Sequence, residues 1–248
     1  MSSRFARAVT AAMAFALCGA GASACASLLA PQYEYAEEID LSTDGTAHVE
    51  VHASVAALVA LRGAPLDAGV NTPVDRVQVR RLFEGPGVEV NAVRASRRAG
   101  RPFVHVELDA ADIEALGRLD AFAWAVYEFE RGGDVLRYRQ TVGAPAGATV
   151  GDVGWTGDEL VAFRLHAPSE IPFHNAPSRR IERGNILIWE QSLTDRLAGV
   201  PVQIEVHLEP KSVLYRTLLL FGSTVLAAAA AFAVVIWRVA RRRPATEG

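Results

Sequence analysis

Residues 33–54 read YEYAEEIDLSTDGTAHVEVHAS and indicate a β-hairpin. Two runs that contain β-branched and aromatic residues, Tyr33–Ser42 and Thr46–Ser54, flank the triplet Thr43-Asp44-Gly45. A short connection that contains Asp-Gly between such runs is a strong local signal for two antiparallel strands. The same arrangement recurs downstream, and we therefore predict that hairpins build the fold.

Two further hairpins and three later strands follow from the same signals. Gly-containing turns connect residues 88–96 to 102–109 and residues 122–130 to 134–142. The later strands are predicted at Leu160–Ala167, Ile186–Gln191 and Val202–Glu209. Gly143–Gly157, which is rich in Gly, Ala and Pro, is the one plausible internal linker.

Two short helices are predicted between the strands. The first begins at Thr72-Pro73, has its apolar side chains facing inward and ends at Gly85-Pro86-Gly87, and the second lies around Ala111–Leu116. No βαβ spacing recurs. We predict an α+β fold with an antiparallel sheet or sheets of hairpins and the two helices on one face. A ferredoxin-like first half followed by a separate β layer is the alternative architecture.

Residues 1–24 have the pattern of a secretory signal peptide. Arg4 and Arg7 precede a short apolar run, and Ala22-Ser23-Ala24 offers small residues before a cut at Cys25. After that cut, Cys25 would be the first residue and the one cysteine of the mature chain, which is the position that bacterial lipoproteins acylate. Two alternatives stay open, namely lipid attachment at Cys25 and plain signal-peptidase cleavage beside a cysteine.

Residues 213–238 are predicted to form a transmembrane helix. No charged residue occurs between Arg216 and Arg238, and the 21 residues between them would span about 31 Å as a helix, the thickness of a hydrocarbon core. Arg238 and the three arginines of 241–243 form a basic cluster, which places residues 239–248 in the cytoplasm by the positive-inside rule. Residues 25–212 would then form a domain outside a bacterial cell membrane, held by a single pass.

The charge balance excludes several classes of protein. The 248 residues include 28 acidic and 25 basic side chains, for a net charge of -3. Within residues 25–212 the balance is 27 acidic against 18 basic side chains, a net charge of -9. A nucleic-acid partner is excluded on charge, and two cysteines exclude a disulfide-stapled miniprotein.

The run FAWAVYEF at residues 122–129 has no polar residue on either face before Glu128. A strand with this pattern is predicted to be covered on both sides. It is either a central strand beneath a helix layer or a strand with one face lining an apolar groove for an acyl chain. For the second case we predict ligand contacts at Phe122, Trp124, Val126 and Trp189.

Histidines and acids alternate with apolar residues along two other strands. His48, Glu50 and His52 share one face of the first strand, with about 6.6 Å from each to the next, and the second strand carries His105, Glu107 and Asp109. If the two strands pair, a zinc or copper site is geometrically conceivable. Solvated strand faces show the same pattern, and we therefore predict no metal site.

Motifs of common enzyme classes do not occur in the sequence. It has no Gly-x-Ser-x-Gly elbow, no Gly-rich phosphate loop, no Cys-x-x-Cys and no His-Glu-x-x-His. We therefore predict a non-enzymatic protein without catalytic residues or a cofactor.

Two segments carry a resemblance to a known family. They are residues 164–176, RLHAPSEIPFHNA, and residues 182–189, ERGNILIW. The pattern of a proline-bearing strand end, Asn-Ala and a Gly-Asn hairpin before apolar-x-Trp resembles the LppM-type family of bacterial envelope lipoproteins. The order of export signal, α+β domain and one C-terminal helix with a basic tail is also similar. The resemblance implies a non-enzymatic envelope domain that binds lipids or glycolipids.

Two functions are expected from these observations. The leading expectation is a membrane-anchored extracytoplasmic domain that binds an envelope lipid or another amphiphile. The alternative is a scaffold or accessory subunit that binds another envelope protein through a sheet edge or the transmembrane helix. The expected partners are accordingly a membrane, an amphiphile or an envelope protein.

Overall fold

The computed structural model of the chain describes residues 33–210 and 213–241. The predicted signal peptide and Cys25 lie outside the described residues, as do residues 242–248 of the predicted cytoplasmic tail. The strands are β1 Tyr33–Leu41, β2 Ala47–Ser54, β3 Val88–Arg98, β4 Arg101–Ala110, β5 Ala125–Gly132, β6 Val135–Val142, β7 Leu160–His166, β8 Phe173–His174, β9 Ile186–Ser192 and β10 Val202–Leu208. The helices are α1 Val55–Arg62, α2 Arg76–Phe83, α3 Leu193–Leu197 and α4 Val213–Arg241, and two 3-10 turns cover Ile113–Arg118 and Asp120–Phe122.

The described strands form two sheets. One has the order β3-β4-β2-β1-β7-β9, and the other has the order β5-β6-β10-β8. This mixed architecture with short helices confirms the predicted α+β class. The three predicted hairpins are present as β1-β2, β3-β4 and β5-β6.

The first sheet contains one parallel pair, which the hairpin signals in the sequence did not indicate. Strand β7 pairs with β1 in parallel, with Ile39 opposite Leu165. Hairpin turns force an antiparallel pair, whereas the long connection between β1 and β7 lets the chain re-enter the sheet in the same direction. Turn signals in the sequence therefore do not report this pairing.

Helix α1 was not predicted from the sequence. Its eight residues, VAALVALR, follow β2 without a break and are buried at every position except Val59, so they show no amphipathic period. The ends of the helix are well defined: the Ser54 side chain accepts a hydrogen bond from the Ala57 N–H, and Gly63 ends the helix with a φ of 66°.

Helix α2 begins later than predicted. Asp75, not Thr72, caps it, because the Asp75 carboxylate accepts hydrogen bonds from the N–H groups of Val77 and Gln78. Val77 was among the apolar side chains predicted to face inward, but it is exposed, whereas Phe83 is buried as predicted. The second predicted helix is a 3-10 turn, Ile113–Arg118.

The buried residues of both sheets and of α1 form one hydrophobic cluster. The segment predicted as a linker, residues 143–157, packs against this body. The Ala146 N–H donates to the Leu61 carbonyl, and Trp155 Nε1 donates to Glu34 Oε2 at 3.0 Å.

Helix α4 contains one stretch, Thr217–Arg238, that is long and apolar enough to cross a membrane. None of its side chains is buried against the rest of the described chain. A stretch of 22 residues matches the thickness of a bilayer core. The C-terminal helix is therefore compatible with membrane association.

Candidate functional site

An ion pair is buried between the first sheet and α1. Arg62 Nη2 lies 2.9 Å from Glu37 Oε2, and the two side chains are 1% and 0% exposed. Glu37 reaches this place because it lies on the same face of β1 as the core residues Tyr35 and Ile39. Arg62 reaches it because it is the last residue of α1, just before the turn at Gly63.

Hydrogen bonds from three elements surround the Glu37 carboxylate. Tyr35 donates to it at 2.6 Å, Tyr127 of β5 at 2.8 Å and Gln140 of β6 at 2.8 Å. Two of these donors belong to the second sheet, so the cluster joins the two sheets through the core. Burial raises the pKa of the Glu37 carboxyl to about 7, while the hydrogen bonds from Tyr127 and Gln140 lower it.

Aromatic rings surround the Arg62 guanidinium. Its central carbon lies 4.3 Å from the ring centre of Trp124, 4.4 Å from Tyr35 and 4.9 Å from Phe122. Burial lowers the pKa of Arg62 to about 9, which still leaves it a cation at neutral pH. Its Nη1 donates to the Ala121 carbonyl, whereas its Nε has no hydrogen-bond partner within residues 33–210 and 213–241.

A cavity of about 370 Å³ is lined in part by Arg62 and by the residues that follow it in the chain. Its walls come from α1, α2 and the second 3-10 turn, and they are mostly apolar. The lining includes Leu58, Arg62, Ala64, Leu82, Phe83 and Ala121. The volume falls at the lower end of the range for small-molecule sites, which are mostly apolar with a few polar groups. We call this the α1–α2 cavity.

A larger depression of about 740 Å³ lies over Thr46, His48 and Asp109. This depression is more open to solvent than the α1–α2 cavity, so a ligand bound in the depression would keep more of the ligand's surface in water. Buried surface is what a small-molecule site supplies. The α1–α2 cavity is therefore the better candidate for an apolar ligand.

The structure brings together only part of the predicted ligand-contact set. Phe122 is buried in the second 3-10 turn and packs edge-on against Phe83, which lines the α1–α2 cavity. Trp124 is partly buried against Arg62. Trp189 is buried in β9, where its Nε1 donates to Asn175 at 3.1 Å.

The prediction that residues 122–129 form a strand with two covered, apolar faces is wrong. Strand β5 begins only at Ala125 and alternates between buried and exposed residues. Val126 is 58% exposed, because one face of β5 meets the core and the other meets solvent. Residues 122–124 belong to the preceding turn, so their apolar character does not report a strand face.

Two neighbouring strands of the first sheet align the predicted histidines and acids. Strands β2 and β4 pair, with His48 opposite Asp109, Glu50 opposite Glu107 and His52 opposite His105. All six side chains lie on the face turned away from the core. The contacts include 2.7 Å between His48 Nδ1 and Asp109 Oδ1 and 2.6 Å between His52 Nε2 and His105 Nδ1.

The Arg62–Glu37 pair was not predicted from the sequence. Glu37 is one of two adjacent acids in a strand, and Arg62 precedes a glycine, so both look like ordinary surface charges. The available signal was the alternation of β1, which puts Glu37 in phase with Tyr35 and Ile39 on the inner face.

Comparison with known proteins gives a structural likeness and no sequence match. No family model matches the chain, and no curated protein matches it. The folded domain of the Mycobacterium tuberculosis LppM protein, solved by NMR, is similar at a TM-score of 0.41 and 13% identity. The likeness covers 75% of this chain and 95% of that domain.

Proposed function

We propose that this chain is a membrane-anchored binding protein that holds an amphiphile in the α1–α2 cavity, without catalysis. The carrying observation is a mostly apolar cavity of about 370 Å³ that is lined in part by Arg62, a residue with a guanidinium that is buried in this structure. A ligand with an acidic head and an apolar tail matches this combination. An envelope lipid or a fatty acid has that chemistry.

The unpaired Nε of Arg62 supports an acidic head group. A buried donor without a partner costs about 1–3 kcal/mol. Because Nε is closed off from solvent in this structure, a ligand oxygen would satisfy it only after the residues around the cavity shift to admit that oxygen. Glu37, with its pKa raised to about 7, also takes up a proton as the pH falls below neutrality. The guanidinium is then no longer neutralised by its neighbour, which favours an anionic ligand.

Helix α4 supports the anchoring part of the proposal. The 22 residues Thr217–Arg238 follow the domain closely, so a domain attached to them would lie near the membrane surface. Lipids are the amphiphiles available there. We place the domain outside the cell and residues 239–248 in the cytoplasm, from the export signal and the basic cluster in the sequence.

The second expectation, a scaffold for another envelope protein, has little support at the β3 edge of the first sheet. Strand β3 is an edge of the first sheet, and Arg94, Arg97 and Arg98 are exposed along its second half. Charged side chains on an edge strand oppose pairing with a further strand. The β3 edge therefore does not favour binding of a further strand, and of the two functions it is amphiphile binding that the cavity supports.

Photocrosslinking tests the proposal directly. The full chain in membranes is incubated with a palmitic acid that carries a diazirine, and the crosslinked peptides are mapped by mass spectrometry. We expect crosslinks in the segments around Leu58–Pro65 and Leu119–Ala123. Crosslinks confined to α4 would contradict the proposal, because the probe would then report only the surrounding bilayer.

A matched pair of variants separates the cavity from other apolar surface. Ala123 lines the α1–α2 cavity, and Ala123→Phe is expected to fill part of it and reduce the domain crosslinks. Val126 is exposed on β5 and lies outside that cavity, so Val126→Phe adds the same ring without blocking it. Equal crosslinking by the two variants would contradict a site in the cavity.

A further inference from the structure

The paired strands β2 and β4 bring two imidazoles and a carboxylate together on the solvent face of the first sheet. We propose that Glu50, His52 and His105 form a binding site for a divalent transition-metal ion, with zinc as the best match. One ligand atom from each residue lies within 4.8 Å of the others. Two imidazoles with one carboxylate are a common donor set for zinc in proteins.

The distances between the donor atoms fit one small ion. His52 Nε2 lies 3.5 Å from Glu50 Oε2 and 2.6 Å from His105 Nδ1. Bonds of about 2.1 Å in a tetrahedral site place donors about 3.4 Å apart. Glu50 Oε2 is already at that separation from His52 Nε2, and the two imidazole nitrogens need to part by less than about 1 Å, which small rotations of the rings supply.

The surroundings of His105 fix the ring for metal binding. His105 Nε2 lies 2.8 Å from Glu107 Oε1, and a carboxylate accepts hydrogen bonds, so Nε2 must carry the proton. The lone pair of the neutral ring is then on Nδ1, the atom that faces His52. Arg94 in turn donates to Glu107. Such a carboxylate–histidine arrangement orients metal-binding imidazoles in known sites.

A cleft of about 310 Å³ gives an ion access to the two imidazoles of this cluster. Its lining includes both His52 and His105, together with Tyr33, Arg98 and Arg164. His52 is about half exposed and His105 less so, so the pair lies at the wall of the cleft and not beneath the surface. Three protein donors leave a fourth position on zinc, for water or another small ligand.

Zinc titration of the full chain in detergent micelles tests the proposal. The untagged protein is stripped with EDTA, the chelator is removed, and ZnCl2 is added in a calorimeter. We expect one zinc ion per chain. Removing a partner outside the donor set typically costs 10–100-fold in affinity, so removing two donors, in His52→Asn/His105→Asn, should weaken zinc binding by about 100-fold or more.

Glu50→Gln provides a second variant that keeps the size of the side chain, and it should also weaken binding. His48→Asn is the matched control, because His48 lies on the same face of β2 but pairs with Asp109. Zinc binding that is absent in the native chain or undiminished in the double variant would overturn the proposal. A loss in His48→Asn equal to that in the double variant would overturn it as well.

Discussion

Arg62 and Glu37 meet inside the core, with Nη2 and Oε2 2.9 Å apart and both side chains withdrawn from solvent. Removing one partner of a buried pair leaves the other charge uncompensated, at a cost of about 3–5 kcal/mol. We therefore expect Arg62→Met and Glu37→Gln each to lower the free energy of unfolding by about that amount. Urea unfolding of the full chain in detergent, followed by tryptophan fluorescence, measures the change.

The double variant Arg62→Met/Glu37→Gln is the control for this prediction. It removes both charges, so neither is left buried alone, and its loss of stability should be smaller than the sum of the two single losses. A strictly additive result would show that the two side chains act independently, contrary to their contact.

The contact between His48 and Asp109 predicts that the stability of the fold depends on pH. The hydrogen bond to Asp109 raises the pKa of His48 above its usual value of 6.5. Folding therefore favours protonated His48, and this contribution to stability is fully present below pH 6.5 and is lost as the pH rises through the folded-state pKa. We expect Asp109→Asn to return the pKa toward 6.5, as measured by NMR titration of the ring in the presence of EDTA.

His52 gives an internal comparison in the same titration. Burial and the neighbouring His105 lower its pKa, so it should titrate below 6.5 while His48 titrates above. Its contribution to stability has the opposite sign, because stability is lost as the pH falls through its folded-state pKa. The reverse order of the two histidines would contradict the contacts that the structure shows.

The hairpins of this fold could be predicted because their signals are local. Asp44-Gly45 and Gly132-Gly133 stand between runs with strand character, and the turn fixes which strands pair. Helix α1 could not be predicted this way, since an eight-residue helix buried on nearly all sides has no polar face to mark its period. The parallel pairing of β7 with β1 depends on the return of a distant segment, which no turn encodes.

The two candidate sites also differ in how much of each could be predicted from local sequence. The period of two in β2 and β4 placed His52 and His105 on solvent faces, and only their pairing remained to be supplied by the structure. The α1–α2 cavity forms from an unpredicted helix, a helix whose start was misplaced and a 3-10 turn. None of the four predicted ligand contacts, Phe122, Trp124, Val126 and Trp189, therefore lies in the wall of the cavity.

We predict that the ligand has an acidic head group. A hydrogen bond to a charged group contributes about 1.5–3 kcal/mol, which corresponds to roughly tenfold or more in affinity. If Arg62 receives the head group, the diazirine-labelled palmitic acid should label the domain more strongly than the corresponding fatty alcohol at equal membrane concentration. Quantitative mass spectrometry of the crosslinked domain peptides gives the ratio, and equal labelling by acid and alcohol would exclude Arg62 as the recognition group.

The lack of charged residues between Arg216 and Arg238 predicts that α4 anchors the chain in the membrane. An arginine near the centre of a membrane span costs about 2.5–3.5 kcal/mol in insertion, so two of them add about 5–7 kcal/mol. We expect Leu226→Arg/Ala230→Arg to move the chain from the membrane pellet to the supernatant in alkaline carbonate extraction. Leu226→Ala/Ala230→Leu keeps the span apolar and should remain in the pellet. Retention of the arginine variant in the pellet would show that α4 is not what holds the protein at the membrane.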